Sequence, residues 1–459
     1  MKRQRLSRQS SNRQSSNRQR YLATVGAGLA LVTLAACSTG GSSSPSIATS
    51  APAKVTGTVE FWHFFTDREA AAVQAAVNDF EAKYPGIKVN VHGGQDDEKM
   101  LKAIAAGQPI DLALSSTTDR AGKFCQSGAF KDLKPYLTRD KVDLTQFPQA
   151  ALDYTQFNGV RCTLPMLSDD YGLYYNKAMF AAAGITEAPK TLSDLTADAK
   201  KLTVLNPDGS IKVAGFVPLM GWYENAPAHF APSFASKWLN SDATSAISSD
   251  QTWVEMAQWQ KSLVDYYGYD KITKFVAGLG EEFSPDNAFE KGKVAMAIDG
   301  EYRSAFVQAE APTLQYGTAP FPTGDAHTDL YGGGYVTGNI IGIGKGSQNP
   351  EAAWLLMKYL TTDTSAMVKL ANAIKNIPTT KAALASPDLQ ADANYKTFLT
   401  IFGDPHSSTT PSSPTGSQYQ DTMADFFTKW QEGKVGDITT GLKGVDKTID
   451  DALALATGP

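Results

Sequence analysis

The sequence predicts an α/β fold of two lobes, each a β-sheet flanked by helices, with a hinge between them. Strand and helix patterns alternate over residues 58–114, which favours a parallel sheet with helices on its faces. In a central stretch, Thr163–Lys177, two β-favouring apolar runs flank Asp169 and Asp170. A buried sheet would not tolerate unpaired carboxylates, whereas a strand that crosses between two lobes over a solvated cleft would accept them. An exposed turn is the alternative for this stretch.

The amino-terminal residues 1–36 are predicted to be a secretory signal peptide. Seven basic residues and no acidic one accompany the apolar run Leu22–Ala36, which is shorter than the ~20 residues that a membrane-spanning helix needs. The run ends in Leu-Ala-Ala-Cys, a pattern that resembles a lipobox, so Cys37 is expected to carry a lipid. An ordinary signal peptide with an incidental cysteine is the alternative. Residues 37–53, rich in small and polar side chains, are expected to form a flexible tether.

Charge and cysteine content bear on the class of function. Removal of the leader takes away seven basic residues and shifts the net charge from −5 to near −12. Such an acidic chain argues against nucleic acid or acidic lipid as a partner. Besides Cys37 the chain has only Cys125 and Cys162. Two cysteines in an exported chain favour one disulfide, Cys125–Cys162, over a zinc site, with two separate buried thiols as the alternative.

The first globular unit opens with three strand patterns separated by two helix patterns. The strands are predicted at residues 58–62, 87–91 and 110–114. Thr66, followed three residues later by Glu69, predicts a capping box at the start of the first helix. Ligands of parallel sheets bind beyond the carboxyl ends of the strands. Those ends carry Trp62 and His63 after the first strand, and residues 115–120 after the third.

The remainder of the chain continues the alternation of helices, strands and polar loops. Helices are predicted at residues 189–202, 253–267, 349–360, 419–430 and 445–456, and strands at 213–217 and 340–343. An aromatic loop with Trp222 and Tyr223 follows the strand at 213–217. A Ser/Thr/Pro loop, residues 407–417, precedes the helix that contains Tyr419. Their location makes these three aromatic residues candidates for the walls of the cleft.

The sequence contains no recognisable catalytic motif. No nucleophile elbow, His-Glu-x-x-His or Walker pattern is present, and the five histidines are scattered singly. Asp169 and Asp170 are neighbours on a predicted strand, so they point to opposite faces and form a poor acid–base pair. We therefore expect a protein that is not an enzyme and uses no cofactor or metal. A glycoside hydrolase with two carboxylates is a disfavoured alternative.

Several segments resemble the extracellular solute-binding proteins of ABC importers, the carbohydrate-binding family that includes maltose-binding protein. At the hinge the matching residues are Leu164, Pro165, Asp169, Leu173–Lys177, Phe180, Ala183 and Gly184. The most specific match is residues 288–302, which depart from the family pattern at Glu301, usually Pro, and at Tyr302, usually Trp. Residues 189–202, 349–360 and 377–382 match as well.

The resemblance implies a periplasmic-binding-protein-like fold. It places residues 54–168 and 336–386 in the amino-terminal lobe, and residues 169–335 and 387–459 in the carboxy-terminal lobe. It further implies a monomeric, extracytoplasmic protein that is held at the cell membrane only by its lipid and binds no nucleic acid. Such a protein binds a sugar or oligosaccharide in the interlobe cleft and delivers it to an ABC permease. Glycerol phosphodiesters or another polyol are the alternative ligands.

The resemblance also implies which residues contact the ligand. Asp119, Arg120, Asp169 and Tyr302 fall on ligand positions of the family pattern. Ionised side chains would bind sugar hydroxyls, and aromatic rings would stack on the apolar ring faces. The expected ligand-binding residues are Trp62, His63, Asp119, Arg120, Asp169, Trp222, Tyr223, Tyr302 and Tyr419. Ordinary core packing is the alternative for each aromatic residue.

Overall fold

The structure is a computed structural model that describes residues 50–457, without the side chains of Ala150 and Thr457. The predicted signal peptide, Cys37 and most of the predicted tether lie outside the described residues. Within the described range, none of the helices combines the length and the apolar composition that a membrane crossing requires.

The described residues form ten strands and seventeen α-helices, numbered in chain order. The strands are β1 Gly57–His63, β2 Ile87–His92, β3 Leu112–Ser115, β4 Leu164–Asn176, β5 Val204–Leu205, β6 Ile211–Phe216, β7 Val294–Gly300, β8 Tyr316–Ala319, β9 Val336–Ile343 and β10 Ile377–Pro378. The helices are α1 Asp67–Lys83, α2 Asp97–Ala105, α3 Ala121–Gln126, α4 Lys134–Arg139, α5 Gln149–Asp153, α6 Lys177–Ala182, α7 Leu192–Leu202, α8 Pro227–Phe230, α9 Gln251–Tyr267, α10 Tyr269–Val276, α11 Arg303–Glu310, α12 Pro350–Thr362, α13 Thr364–Ile374, α14 Lys381–Leu384, α15 Ala393–Gly403, α16 Gln418–Gln431 and α17 Ile438–Thr457.

The strands pair in the order β2-β1-β3-β9-β4-β7-β6-β5, with β8 and β10 also paired to β4. Strand β1 is parallel to both β2 and β3, as the alternation of strands and helices predicts. Strand β9 runs antiparallel to β3 on one side and to β4 on the other.

Strand β4 is the element that joins the two halves of the sheet. Its first half pairs with β9 and β10, and its second half pairs with β7 and β8. Asp169 and Asp170 lie inside this continuous strand, opposite Thr337 and Val336 of β9. The exposed-turn alternative is therefore wrong, and the two carboxylates are buried at the crossing point.

Buried apolar side chains form two large clusters. One draws on residues 59–167 and 341–383, and the other on residues 171–335 and 419–453. A smaller cluster packs Tyr174 of β4 against Phe398 of α15 and Val336 of β9. This is the predicted two-lobed α/β fold, in which each lobe has its own core. The predicted boundaries between the lobes stay a prediction.

Local sequence signals explain several element ends. The side chain of Thr191 accepts a hydrogen bond from the backbone N–H of Asp194, whose carboxylate accepts one from the backbone N–H of Thr191, a complete capping box at the start of α7. The capping box predicted at Thr66 and Glu69 is wrong, because Thr66 precedes α1 but makes no side-chain cap hydrogen bond. Glu69 instead lies 3.5 Å from Arg68 Nη2 and takes part in the site described below.

Cys125 of α3 and Cys162, just before β4, form the predicted disulfide. The bond lies in a small cluster with Phe124 and Phe130, against which Trp62 packs. It ties α3, and with it the preceding loop of residues 115–120, to the base of the crossing strand.

Candidate functional site

The carboxyl ends of β1 and β3 meet the crossing strand at one edge of the sheet. Strand β1 is followed by Phe64 and Phe65, and strand β3 by Ser116. Phe65 is buried, Phe64 is half-buried, and their rings lie 4.1 Å apart. Parallel sheets bind ligands beyond such strand ends, which makes this edge the candidate site.

A cavity of about 170 Å³ opens at this edge. Its aromatic lining consists of Phe64, Phe65, Phe283, Tyr302 and Phe306. Its polar lining consists of Glu69, Ser116, Asp169, Asn339 and Asn376. None of these described lining residues is basic. Flat rings beside oxygen acceptors suit a ligand with apolar faces and hydrogen-bond donors.

Two buried amides strengthen the case for this cavity. Asn339 and Asn376 are 2% and 3% exposed, and neither side-chain oxygen has a hydrogen-bond partner among the described residues. Buried polar atoms are usually paired, so both oxygens are available to a ligand donor.

A larger cavity, of about 630 Å³, lies between α11 and residues 390–395 and contains none of the expected ligand-binding residues.

Asp169 belongs to a cluster of buried carboxyl side chains at the crossing point. The side-chain amide of Asn376 donates hydrogen bonds to Asp169 Oδ1 and, at 2.9 Å, to Glu301 Oε1. Glu301 Oε2 in turn accepts a hydrogen bond of 2.7 Å from the backbone N–H of Asp170. Burial raises the pKa of Asp169 to about 7, and burial next to Asp169 and Asp170 raises the pKa of Glu301 well above its ordinary value. The carboxyl cluster therefore retains protons at neutral pH, because several negative charges buried side by side would be unfavourable.

Tyr302 lies at the mouth of the cavity and is held from two sides. Its hydroxyl donates a hydrogen bond of 2.6 Å to Glu224 Oε1. Its ring stands edge-on to Tyr171, with centroids 6.4 Å apart, and lies 6.0 Å from the exposed ring of Phe283. The half-buried ring of Tyr302 therefore presents a face to the cavity at a defined angle.

A second acidic group lies behind Tyr302. Glu224, Glu282 and Asp299 each place a carboxylate oxygen within 4.8 Å of the others, the one such group in the described residues that could hold a metal. The guanidinium of Arg303 already lies there, and its Nε donates to Asp299 Oδ2 at 2.7 Å. Burial and the Glu224 carboxylate raise the pKa of Glu282 to about 10. The negative charge of these three carboxyl side chains is therefore already balanced by the guanidinium of Arg303 and by the proton that Glu282 retains.

Asp119 and Arg120, two of the expected ligand-binding residues, contact side chains of the protein itself. Asp119 is buried and accepts hydrogen bonds from Thr117, at 3.0 Å, and from Thr410. Arg120 donates to Glu98 Oε1 at 2.6 Å. Neither residue lines the cavity that contains Asp169 and Tyr302.

Trp62 and His63 also lie outside the cavity lining. The Trp62 ring lies 5.9 Å from His92 and within cation–π distance of Lys99 Nζ, on the face of β1 that carries the disulfide cluster. His63 is fully buried, and burial lowers its pKa to about 4, so its ring is neutral at physiological pH. Period-two alternation along β1 places the two side chains on opposite faces of the sheet, where Trp62 is half-buried against the disulfide cluster and His63 is buried beside Phe61 and Phe65.

The remaining expected aromatic residues pack within the carboxy-terminal lobe. Trp222 is 7% exposed and stacks on Tyr223, with ring centroids 4.1 Å apart. Tyr223 donates its hydroxyl to Gly280 O at 2.6 Å. Tyr419 is buried and lies 5.2 Å from Trp238. Of the nine expected residues, the structure brings together Asp169 and Tyr302 in the cavity.

Several lining residues escaped the sequence analysis. Phe64 and Phe65 directly follow Trp62 and His63, so continuing the strand end by two residues would have found them. Glu69 was assigned to a capping box, and Asn376 precedes the matched segment at residues 377–382. No local motif marks Phe283 or Phe306, which reach the cavity only through the tertiary fold.

Comparison with known proteins agrees with this architecture. The family model "Bacterial extracellular solute-binding protein" matches residues 66–367. A Brucella abortus protein named as a binding protein is 30% identical over 287 residues, which cover 61% of this chain and 66% of that protein, just under two thirds of its length. The maltotriose-binding protein of Pyrococcus abyssi is 24% identical over 341 residues, 73% of this chain and 69% of that protein.

Solved structures show the same fold. CpMnBP1 with mannotriose bound has a TM-score of 0.77 and 26% identity, and covers 85% of this chain and 99% of its own. Maltose-bound T. maritima MalE3 has a TM-score of 0.71 and 21% identity, and covers 86% of this chain and 100% of its own.

The match to the family model covers more than half of the chain, and the family consists of extracellular binding proteins. The resemblance identified in the hinge and in residues 288–302 is thereby confirmed, and the protein is extracytoplasmic. Its similarity to sugar-binding members agrees with the maltose-binding type of fold. The chain belongs to the family of bacterial extracellular solute-binding proteins.

Proposed function

We propose that the protein binds a sugar or short oligosaccharide at the interlobe cavity and delivers it to the permease of an ABC importer. The observation that carries this function is the cavity that places Asp169 and Tyr302 together with four phenylalanine rings and two unpaired amide oxygens. The similar protein with mannotriose bound and the relative named for maltotriose binding support the choice of ligand class.

The chemistry of the cavity matches that of a saccharide. Sugar rings have apolar faces that stack on aromatic side chains, and their hydroxyls can donate to Asp169, Glu69, Asn339 and Asn376. Each hydroxyl buried without a partner would cost about 1–3 kcal/mol, so the acceptors of the cavity select ligands whose donors match them. Micromolar affinity requires about −8 kcal/mol, which two stacked faces and several such hydrogen bonds can supply.

Transport requires the two lobes to move relative to each other. In this proposal residues 54–168 and 336–386 form one lobe, and residues 169–335 and 387–459 form the other. Ligand contacts to both lobes favour the closed form, and the permease recognises that form. A lipid on Cys37 keeps the monomeric protein at the outer face of the membrane. The other seven expected contacts (Trp62, His63, Asp119, Arg120, Trp222, Tyr223 and Tyr419) stay predictions.

The alternative functions have less support from the site. A glycerol phosphodiester carries an anionic phosphate, and none of the described lining residues is basic. A glycoside hydrolase needs two carboxyl groups that flank the scissile bond. Glu69 and Asp169 both line the cavity, but the family model that matches the chain describes solute-binding proteins, so we favour binding over hydrolysis.

Titration calorimetry with mannotriose, maltotriose and a glycerol phosphodiester tests the ligand class. We expect heat from at least one saccharide and none from the phosphodiester. Asp169→Ala should weaken the saccharide affinity at least tenfold, because a sugar hydroxyl that is buried in the cavity loses its hydrogen-bond partner. The exposed Asp388→Ala serves as the matched control. Binding of the phosphodiester alone, or of no compound, would contradict the proposed ligand.

The lipid anchor is tested separately by fractionation of cells that express the wild type or Cys37→Ala. We expect the wild type in the membrane fraction and the variant released from it. Membrane retention of the variant would show that another feature holds the protein there.

A further inference from the structure

We propose that the Ser/Thr/Pro segment of residues 407–417, here called the cleft segment, limits the length of the saccharide that the site accepts. This inference rests on the proposed function of the site. The segment closes the Asp119 end of the cleft, leaves the cavity at Asp169 and Tyr302 for a single sugar ring, and must be displaced before a longer ligand can reach Asp119.

The cleft segment is attached to the chain that returns between the lobes. Ser408 pairs with this return, its N–H donating to Gly334 O at 3.1 Å and its carbonyl accepting from Val336 N at 2.9 Å. The backbone N–H of Gly334 donates to Ser407 Oγ at 3.0 Å. The start of the segment is therefore fixed next to the crossing point of the two lobes.

From this start the segment passes between the two lobes. The hydroxyl of Thr410 donates to Asp119 Oδ1 and lies 3.1 Å from the hydroxyl of Tyr335. Pro411 O accepts a hydrogen bond of 2.7 Å from Tyr419, on the carboxy-terminal side. Thr410 is 2% exposed, so the segment is enclosed between its neighbours.

The contact with the amino-terminal side is tight. A Cβ atom added at Gly122 of α3 would overlap with Ser413 O, and Ser413 is fully buried. Gly122 is thus a position where the backbone of α3 approaches the segment closely. Both carboxylate oxygens of Asp119 have partners in the chain itself, Thr117 and Thr410.

The remaining space fits one ring. The cavity at Asp169 measures about 170 Å³, below the ~300–1,000 Å³ that drug-sized ligands occupy. A separate cavity of about 620 Å³ is lined by Ser412 and Pro414 of the segment and by Phe157 and Leu239 from its two sides. Displacement of the segment would also free Asp119, whose hydrogen-bond partner Thr410 belongs to the segment.

Two features of the segment favour its displacement. The hydroxyls of Thr409 and Ser412 are buried without a hydrogen-bond partner among the described residues. Unpaired buried hydroxyls are unfavourable, and both would gain partners in water when the segment moves out. Its composition, rich in Ser, Thr and Pro, forms no helix or strand that would have to unfold.

The test measures affinities for mannose, mannobiose and mannotriose in the wild type and two variants. Thr410→Val removes the hydrogen bond to Asp119, and replacement of residues 409–414 by two glycines removes the obstruction. Thr440→Val is the matched control, because that exposed threonine donates to Asp437 at the start of α17. Thermal melts verify that each variant is folded.

We expect wild-type affinity that does not rise from mannose to mannotriose. Thr410→Val should raise the mannotriose-to-mannose affinity ratio about three- to tenfold, the effect of one lost hydrogen bond. The shortened variant should raise it further, and the control should leave it unchanged. Equal ratios in wild type and both variants, with mannose bound, would overturn the length limit alone. If no variant binds any of the three sugars, the proposed sugar function fails and the length limit fails with it.

Discussion

The hydroxyl of Tyr302 donates a hydrogen bond of 2.6 Å to Glu224 Oε1, and the ring of the same residue lines the cavity next to Asp169. The hydrogen bond orients the ring, and the half-buried position leaves one face available. Substitutions of Tyr302 can therefore distinguish a role in ligand binding from a role in core packing.

Tyr302→Ala should lower saccharide affinity at least tenfold with little change in Tm, because a stacking surface is lost from a half-exposed site. Tyr302→Phe keeps the ring and should stay within a few-fold of the wild type. Calorimetric titration and thermal melts measure the two effects. Unchanged affinity together with a loss of about 3–5 kcal/mol in the free energy of unfolding would assign Tyr302 to the core.

Asp169 should make stability depend on pH. In the unfolded chain an aspartate titrates near pH 4, whereas burial raises the pKa of Asp169 to about 7 in the folded protein. Between these values the folded state holds a proton that the unfolded state has released. The contribution of Asp169 to the free energy of unfolding therefore falls as the pH rises from about 4 to about 7, and it stays constant at higher pH.

Asp169→Asn removes this titration. From pH 4 to pH 7 the Tm of the variant should rise relative to the wild type by at least about 2 °C, the shift that 1 kcal/mol produces in a large domain. Asp170, Glu301, Glu69 and Glu224 face the same cluster and remain in both proteins. Because Asp169 raises the pKa of Glu301, the difference between the two curves reports the coupled titration of this pair. Parallel curves of Tm against pH would contradict the assignment.

Arg303 should be essential to the stability of the carboxy-terminal lobe. Its fully buried guanidinium donates to Asp299 and lies near Glu290 and Glu282. Arg303→Met would leave these carboxylates without their cation, and we expect a loss of about 3–5 kcal/mol in urea unfolding.

Arg68→Met is the matched control for Arg303. Both guanidinium groups lie over the Phe306 ring, at 5.4 Å for Arg68 and 5.0 Å for Arg303. Arg68 is exposed and paired with Glu69, so its loss should cost less than about 1 kcal/mol. Equal effects of the two substitutions would show that the buried ion pairs of Arg303 contribute no more stability than the exposed pair of Arg68.

The disulfide should stabilise the fold through the unfolded chain. Cys125 and Cys162 are 37 residues apart, and closing a loop of this length contributes roughly 3–4 kcal/mol if chain entropy dominates. The Cys125→Ser/Cys162→Ser variant should unfold at a correspondingly lower urea concentration. Reduced wild type should match the variant, and a variant as stable as the oxidised wild type would exclude this role.

Sequence patterns were sufficient for the parts of the fold that depend on local periodicity. The parallel strands β1, β2 and β3 and the helix predicted at residues 189–202 follow from hydrophobic periodicity. For the stretch around Asp169 the charges left an exposed turn open, and the family resemblance favoured the crossing strand. The motif at residues 288–302 identified the segment that carries Tyr302. These features depend on residues close together in the chain, where spacing alone defines geometry.

The composition of the site was less accessible from the sequence. Trp62 and His63 stay predicted ligand contacts, whereas the residues of this strand end that line the cavity are Phe64 and Phe65. Phe283 and Phe306 carry no motif, and they reach the cavity because α11 and the loop before β7 pack against it.

The sequence by itself determined the class of fold, the disulfide and the segment that crosses between the lobes, because hydrophobic periodicity and family motifs are local properties of the chain. Only the tertiary structure decided that Asn376 bridges Asp169 and Glu301, and that Thr410 donates a hydrogen bond to Asp119. Those contacts join residues 75 to 291 positions apart, and such pairings depend on how whole lobes pack, which no local pattern specifies.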